Sequence, residues 1–381
     1  MDANVGIVGV GTMGSMALWQ LARRGVSVMG FEQFGIGHDQ SAAGGETRIF
    51  RTAYKEGAAY IPILQEAYKQ WRELESETGN QLLTLTKGLT IGEPGLKSMK
   101  NVMKSIEEYD LEHEILHYEE AKKHYPQHRL LPNEMIIVDH NAGFLRPQYA
   151  IVSAVYRAKE LGAIVHNHTH VEKIQSETDG VSIVANGQKY KVGKLLITTG
   201  PWINQHINDF DKQIEVRRLI NTWFFARDLK QFDESQFPPF TREGNNFSYY
   251  GIPAVDSYMV KIGLAASSED RIKSPNDLDR NIKMGDLSSV KEIVGRDLPN
   301  LFEDPGRVSV YMEAYTKDKN SVVGWLPGHD NIAVLSGFSG HGFKMAPAIG
   351  KIGADLVLDE NIPFSIGRLS PDRFADTQTS W

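Results

Sequence analysis

Short apolar runs alternate with amphipathic stretches along most of this chain. Residues 5–10 form an apolar run, residues 16–24 follow with helical spacing, and residues 26–31 are apolar again. The same order returns near the C-terminus, where the apolar run 332–335 precedes a helical pattern over 346–358. Strands that alternate with helices predict a parallel sheet with helices on its faces.

The middle of the chain has a higher proportion of strand patterns. Strands are predicted over 82–91, 164–170, 181–185, 194–199, 214–226, 247–252 and 258–265, and helices over 61–78, 95–125, 147–161 and 277–294. This order indicates a mixed sheet with helices on one side. The predicted fold class is α/β, with a Rossmann-like dinucleotide-binding domain and an interleaved α+β domain built on the mixed sheet.

The first apolar run leads into a glycine motif. Gly9, Gly11 and Gly14 have the spacing Gly-x-Gly-x-x-Gly between a predicted strand and a predicted helix. One glycine makes the tight turn, one lets the backbone approach a pyrophosphate, and one lets helix pack on strand. Glu32 follows Gly14 by 18 residues, at the position where an acid accepts hydrogen bonds from a ribose. The pattern predicts FAD or NAD, and the charge of Glu32 disfavours NADP.

A second glycine-rich turn spans residues 336–344, which read Ser-Gly-Phe-Ser-Gly-His-Gly-Phe-Lys just before the last predicted helix. A helix N-terminus with close backbone access binds or stabilises negative charge. A chain with one such turn near each end is therefore predicted to wrap around a large anionic cofactor. A turn with only a packing role is the alternative interpretation.

Composition narrows the functional classes. A chain of 381 residues is expected to form two domains. The net charge of −7 argues against general affinity for nucleic acid or anionic membranes. No apolar stretch reaches the ~18 residues of a membrane span. The sequence begins Met1-Asp2 without the basic segment of a signal peptide, so a cytoplasmic location is expected.

Cysteine is absent, which excludes disulfides, thiolate metal sites, thiol nucleophiles and a cysteinyl link to a flavin. His166, His168 and His170 alternate along a predicted strand and would share one face. That spacing could hold a metal, but no acidic partner accompanies the three histidines. An exposed strand face is the default interpretation, and no metal is predicted.

Several motifs together resemble a known family. They are residues 9–14, the run Gly-Glu-Thr-Arg-Ile-Phe-Arg at 45–51, Tyr-Tyr-Gly-Ile-Pro at 249–253, Lys-Ile-Gly at 261–263, Leu-Pro-Gly-His at 326–329, and 337–344. In order and spacing, the chain resembles the monomeric sarcosine oxidase and N-methyltryptophan oxidase family of flavin amine oxidases over most of its length. The resemblance implies a monomer with a discontinuous FAD-binding domain (1–83, 142–215 and 318–381) and a substrate domain (84–141 and 216–317).

The resemblance also implies a reaction. An N-substituted α-amino acid, which is a secondary amine, is oxidised by FAD to an imine that water hydrolyses, and dioxygen then reoxidises the flavin to give hydrogen peroxide. Arg51 and Lys344 would bind the substrate carboxylate, because a carboxylate calls for a fixed guanidinium and ammonium. Arg48 would lie near the flavin ring, Lys261 would activate oxygen, and Tyr250 would line the substrate pocket.

A larger set of residues is implied to contact FAD. These are Gly9, Gly11, Thr12, Met13, Gly14, Glu32, Ser41, Thr47, Arg48, Val171, Thr199, Gly200, Trp202, Gly340, Gly342, Phe343 and Lys344. Structural roles are the alternatives for the reactive candidates: a surface ion pair for either arginine, an exposed strand edge for Lys261, and a core position for Tyr250.

Three positions depart from the family pattern. The covalent flavin cysteine falls near Glu313, so FAD is predicted to bind without a covalent link. Family histidines fall at Ala43-Gly44 and near Ala265, and small residues there predict a wider, less polar substrate pocket around Gly44 and Ala265. Two alternatives to the oxidase stay open, namely a flavin dehydrogenase that reacts slowly with oxygen and a non-catalytic flavin-binding protein.

Overall fold

The structure, a computed structural model, describes residues 1–40, 42–207, 210 and 213–378. Its helices are α1 (Thr12–Ala22), α2 (Ile61–Thr78), α3 (Lys97–Tyr109), α4 (Tyr118–His124), α5 (Pro147–Glu160), α6 (Ser288–Asp297) and α7 (Ala346–Val357). Its strands are β1 (Ala3–Val8), β2 (Val28–Phe31), β3 (Arg48–Phe50), β4 (Leu83–Leu85), β5 (Gly88–Gly92), β6 (His113–Leu116), β7 (Met135–Asp139), β8 (Gly143–Leu145), β9 (Ile164–His166), β10 (Val171–Glu177), β11 (Gly180–Ala185), β12 (Gln188–Ile197), β13 (Ile214–Phe225), β14 (Phe240–Glu243), β15 (Ser248–Ile252), β16 (Met259–Leu264), β17 (Arg271–Ile272), β18 (Arg307–Thr316), β19 (Val322–Trp325) and β20 (Ile332–Ser336).

The first sheet has a parallel centre in the order β20-β12-β1-β2-β9. Val5 lies between Lys194 of β12 and Val28 of β2. The antiparallel strands β10 and β11 extend the sheet beyond β12, and β19 pairs antiparallel with β20. The carboxyl ends of β1, β2, β12 and β20 therefore meet at one edge, where α/β folds bind ligands.

Helices α1 and α7 pack closely on one another over this sheet. Gly350 permits the close approach, since a Cβ there would lie 2.6 Å from the backbone carbon of Met16. Met16, Leu18 and Ile349 belong to the same buried apolar cluster. This packing fixes the start of each helix, and hence both glycine-rich turns, relative to the sheet.

The second large sheet is mixed and has the order β17-β13-β16-β15-β14-β5-β7-β6, with β18 also paired to β13. A small sheet of β3, β8 and β4 lies apart from it in the hydrogen-bonding pattern. The strands of the first sheet come from residues 3–31, 164–197 and 322–336, and those of the mixed sheet from 88–139 and 214–316. The α/β class with an interleaved mixed sheet is confirmed, while the residue boundaries of the two domains stay a prediction.

The element predictions were uneven. Helix α2 has the predicted bounds because Pro62 opens it and Gly79, with φ of 70°, ends it. The predicted helix 95–125 is wrong, since β6 separates α3 from α4. Only the end of the predicted helix 277–294 is α-helical, as α6. The other strands that were not predicted are β3, β7, β8, β10, β14, β17, β18 and β19. Within the described residues, no helix is long and apolar enough to cross a membrane, and no group of three or more possible metal ligands occurs.

Candidate active site

A cavity of about 870 Å³ lies at the carboxyl ends of the parallel strands and extends to the mixed sheet. Val8, Phe31 and Leu335 bring the ends of β1, β2 and β20 to its wall. Tyr250 of β15 and Glu313 of β18 line the opposite part. The cavity thus joins the two glycine-rich turns to the sheet that was predicted to hold the substrate.

The first glycine turn lies between β1 and α1. Gly9 has φ of +89°, and a Cβ there would lie 2.8 Å from the carbonyl oxygen of Thr198. A Cβ on Gly14 would lie 2.0 Å from the carbonyl oxygen of Gly9, so only glycine fits. Gly11 is different, because no atom lies within 4 Å of its Cβ position. Gly11, Thr12 and Met13 line the cavity, so a ligand can approach this backbone.

Glu32 follows β2 and reaches back across the first turn. Its Oε2 accepts a hydrogen bond from the amide of Val10 at 2.9 Å, and its Oε1 accepts one from the amide of Phe34 at 2.9 Å. His38 Nε2 lies 3.5 Å from Oε1. His38 Nδ1 accepts from the amide of Gln40, so its Nε2 carries the proton. Both Glu32 and His38 line the cavity, although only Glu32 was predicted.

Four more predicted residues line the cavity: Val171, Thr199, Gly200 and Trp202. Thr199 is notable because its Oγ1 is buried and has no hydrogen-bond partner in the described structure. Gly200 has φ of +52° and open space at its Cβ position. The predicted contact Ser41 lies outside the described residues.

The second glycine turn follows β20 and ends in a 3₁₀ turn, Phe343–Met345, just before α7. Gly340, Gly342, Phe343 and Lys344 all line the cavity. Trp71 of α2 donates its indole N–H to the Lys344 carbonyl at 3.0 Å and stacks on the Phe343 ring. The start of this helical segment is therefore held against the cavity by a buried contact with α2.

Two cations approach the same aromatic ring. The guanidinium carbon of Arg51 lies 5.5 Å, and the ammonium of Lys344 5.2 Å, from the ring centroid of Tyr54. Arg51 donates to Thr241 Oγ1 at 3.3 Å and to both oxygens of Glu56, at 3.2 and 3.3 Å. Its Nε is buried without a partner in the described structure. Arg51 therefore has a donor left over.

The charges in this region act on one another. Burial and the neighbouring Arg51 lower the pKa of Lys344 to about 7. Burial alone would raise the pKa of Glu56, but Arg51 and Lys55 outweigh it and hold that pKa at about 2. Glu56 is therefore ionised near neutral pH, and Lys344 changes its charge there.

Arg48 and Lys261 lie around the loop that ends at β3. Arg48 lines the cavity and donates to the carbonyls of Gly44 at 2.6 Å and Thr47 at 2.7 Å. Lys261 lies behind the wall, 1% exposed, and donates to the carbonyls of Gly45 at 2.9 Å and Thr47 at 3.1 Å. Lys261 and Thr47 are not among the cavity-lining residues. Burial and Arg48 lower the pKa of Lys261 well below its usual value.

The substrate end matches the predictions only in part. Tyr250 lines the cavity and donates to Asn221 Oδ1 at 2.9 Å, and burial raises its pKa to about 12. Ala265 is exposed to the cavity. The expectation of free space at Gly44 is wrong: a Cβ there would lie 2.1 Å from Tyr311 Cε1. The tyrosine ring fills the position, so Gly44 does not widen the pocket.

His341 was missed although it lies inside the second glycine motif. Its Nε2 lies 3.1 Å from the carbonyl oxygen of Lys319, which can only accept, so Nε2 carries the proton. Nδ1 then accepts from the Tyr54 hydroxyl at 2.9 Å. Burial lowers the pKa of His341 to about 4, so the ring is neutral near pH 7. A polar residue between two glycines of a ligand-binding turn was the available signal.

Comparison with known proteins decides between the possible cofactors. A family model described as FAD dependent oxidoreductase matches residues 4–356. The chain belongs to the FAD dependent oxidoreductase family. It is 30% identical to monomeric sarcosine oxidase of Streptomyces avermitilis over 375 residues, which covers 97% of each chain. It is 29% identical to N-methyl-L-tryptophan oxidase of Salmonella dublin over 372 residues, 97% of this chain and 98% of the other.

Among solved structures, the L-proline dehydrogenase of P. horikoshii has a TM-score of 0.85 to this chain at 20% identity, covering 99% of this chain and 98% of the other. That likeness concerns the fold. The protein is thus an FAD-dependent oxidoreductase with the fold of flavin amino-acid oxidases and dehydrogenases.

The residues of the cavity fit FAD. Gly9 and Gly14 are packed so tightly that no side chain could occupy them, while the backbone of Gly11 stays open. The carboxylate of Glu32 is held by two backbone amides at the place where a ribose is bound in such folds. The unpartnered hydroxyl of Thr199 offers a further polar contact inside the cavity. These groups would hold the dinucleotide part, and the second glycine turn would face the flavin part.

Proposed function

We propose that this protein oxidises an N-substituted α-amino acid at the C–N bond, with dioxygen as the final electron acceptor. The observation that carries the proposal is that Arg51 and Lys344 both line the cavity of the FAD site and approach the same buried ring, Tyr54. A buried guanidinium beside a buried ammonium suits a carboxylate. The relatives named as sarcosine and N-methyl-L-tryptophan oxidases support an N-substituted amino acid as the substrate class.

Bound FAD would supply the two-electron acceptor for the amine. The protein's part begins with binding, in which Arg51 and Lys344 hold the carboxylate and so orient the amine and its C–H bond. Glu56 occupies two donor contacts of Arg51 in the structure, so a substrate carboxylate would use the free Nε and displace or share the Glu56 contacts. Neutral His341 accepts a hydrogen bond from the Tyr54 hydroxyl and so keeps in position the ring that both cations approach.

On the mixed sheet, Lys261 is the candidate for assisting oxygen. Its Nζ is held by two carbonyls and lies 5.6 Å from the Trp223 ring centroid and 5.9 Å from that of Tyr250. Burial disfavours its charge, and negative charge developing in the cavity would favour it. A preorganised ammonium of this kind stabilises an anion as it forms. The fold is shared with a dehydrogenase, so Lys261 is the argument for oxygen.

The test is an anaerobic panel. The purified yellow protein would be mixed with sarcosine, larger N-alkyl amino acids and glycated amino acids, and the flavin absorbance followed. Bleaching followed by rapid recolouring in air is the expected result. Slow recolouring in air would indicate a dehydrogenase, and no bleaching with any compound would refute the amine-oxidising function. The Arg368→Met variant, which changes an exposed arginine of the cavity lining, should behave in this panel as the parent protein does.

The proposal includes a non-covalent cofactor, because the chain has no cysteine and Glu313 stands where the family pattern places one. Acid precipitation is expected to give a colourless pellet and a yellow supernatant, and a yellow pellet would contradict it. A monomeric state and a cytoplasmic location complete the proposal; the word monomeric in the name of a relative supports the first.

A further inference from the structure

Glu313 is a carboxyl group that faces the cavity from the centre of β18. Its Oε2 accepts a hydrogen bond from the Tyr315 hydroxyl at 3.3 Å. The same oxygen lies 3.4 Å from the Cβ position of Gly340 in the second glycine turn. Glu313 therefore sits where the mixed sheet meets the turn that would face the flavin.

The other cavity-lining carboxylates described by the structure each have a tight partner. Glu32 accepts from two backbone amides. Glu56 pairs with Arg51, Glu243 with Lys55, and Asp318 with Arg373. Within the described part of the chain, Glu313 alone among these five has neither an ion pair nor a backbone amide as partner. A cavity-facing carboxyl with one weak hydrogen bond is free to interact with a ligand.

Charged groups face Glu313 from several elements. Burial raises the pKa of Glu313 and outweighs three cations and one hydrogen bond that lower it. The cations are Arg48, which lines the cavity, Lys344 in the second turn and Lys261 on β16, and the hydrogen bond comes from the Tyr315 hydroxyl. Glu313 in turn raises the pKa of Tyr250.

From β13, Arg217 stands directly opposite Glu313 in the antiparallel register. It is engaged elsewhere, because its Nε donates to Glu215 and its guanidinium stacks 4.4 Å above the Tyr315 ring. Burial thus disfavours the charged form of Glu313, and a further negative charge nearby would disfavour it more.

We propose that Glu313 takes up a proton when FAD in this cavity is reduced, and so helps to set the reduction potential of the cofactor. The proposal rests on the FAD site described above. Reduction adds two electrons from a donor and one proton to the cofactor, which leaves one extra negative charge. A second proton, drawn from solvent, then converts the Glu313 carboxylate to the neutral acid and cancels that charge. By linkage, the free energy by which reduction favours protonation of Glu313 equals the free energy by which protonation favours reduction, so protonation raises the reduction potential.

The experiment measures the midpoint potential of the flavin against pH, from about pH 5 to about pH 9, the range in which buried carboxyl groups titrate. Dithionite serves as the electron donor, so no amine substrate is needed. Each proton taken up by a two-electron couple changes the potential by about 30 mV per tenfold change in proton concentration. The holoenzyme is expected to take up one proton more than the Glu313→Gln variant over some interval of this range. Glu313→Asp should keep the extra proton.

Glu46→Gln is the matched control. Glu46 also acts on Lys261, but its side chain is 40% exposed and paired with Arg307, so its variant should follow the parent curve. Equal slopes for the parent protein and Glu313→Gln at every pH would overturn the proposal. If the glutamine variant loses FAD, proton uptake by the parent protein is measured instead, during reduction in weakly buffered solution with a pH indicator. Uptake that never exceeds one proton per FAD at any pH from about 5 to about 9 would overturn the proposal. Normal potentials with no amine turnover would instead refute the proposed function.

Discussion

Replacing Arg51 by methionine should weaken the binding of carboxylates far more than that of their esters. Arg51 is 8% exposed, and in the described structure its Nε has no partner. Loss of one member of a desolvated charge pair costs about 2–5 kcal/mol. The lower part of that range is expected here, because Glu56 already occupies two donor contacts of Arg51 and competes with the ligand. About 2–3 kcal/mol corresponds to roughly 30- to 150-fold in the dissociation constant.

The assay is a spectral titration of the oxidised holoenzyme with a carboxylate that lacks the amine, and with its methyl ester. In the parent protein the acid should bind more tightly than the ester, and in the Arg51→Met variant this preference should shrink by the factor above. A Glu56→Gln variant should move the acid in the opposite direction, since the competing carboxylate is removed. Arg368→Met should leave both constants unchanged.

The interpretation of Arg51 would be refuted by an unchanged ratio of acid to ester binding in Arg51→Met. Loss of affinity for acid and ester alike would also refute it, because that result indicates a general disturbance of the cavity. Thermal unfolding and FAD content should accompany the titrations, since Arg51→Met also leaves the carboxylate of Glu56 without the arginine that holds its pKa at about 2.

Three further predictions concern other residues. Lys261→Met should slow reoxidation of the reduced flavin by dioxygen about 100- to 1000-fold in stopped flow, which corresponds to the ~3–4 kcal/mol of a preorganised charge. A variant whose flavin is bleached by the amine and then reoxidised at the parent rate would contradict this. The affinity for carboxylates should fall as pH rises through about 7, because Lys344 then loses its proton; Lys344→Met should abolish the pH dependence, and a parent protein with flat affinity would argue against this role. Ala265→His should shift preference toward sarcosine-sized amines, whereas Gly44→His should destabilise the fold by collision with Tyr311; a stable Gly44→His protein with the same shift would show that the ring moves aside.

Local sequence determined the parts of this protein that depend on neighbouring residues. The spacing of Gly9, Gly11 and Gly14 between strand and helix predicted a dinucleotide turn, and Gly9 and Gly14 have no room for a Cβ. The start and end of α2 were predictable from Pro62 and Gly79. These features follow from backbone conformation and hydrogen bonding over a few residues, which the amino-acid types decide directly.

The failures of local reasoning occur where distant segments meet. The segment of β6 has a local helical pattern and was predicted as part of a long helix. It forms a strand because its pairing with β7 outweighs that pattern. Tyr311 fills the space beside Gly44 because β18 brings it there from a distant part of the chain. Side-chain volume at a non-local contact cannot be deduced from the small residue alone.

Only the tertiary structure decided which charged groups of the site are free. The family resemblance implied that Arg51 and Lys344 would hold one carboxylate, and both cations do approach the ring of Tyr54. It did not indicate that Glu56 would pair with Arg51, or that Lys261 would lie behind the wall bound to two carbonyls. The charge state and reach of a buried group depend on the solvent it loses and on the partners that the fold brings to it, so they become defined only when the chain is folded.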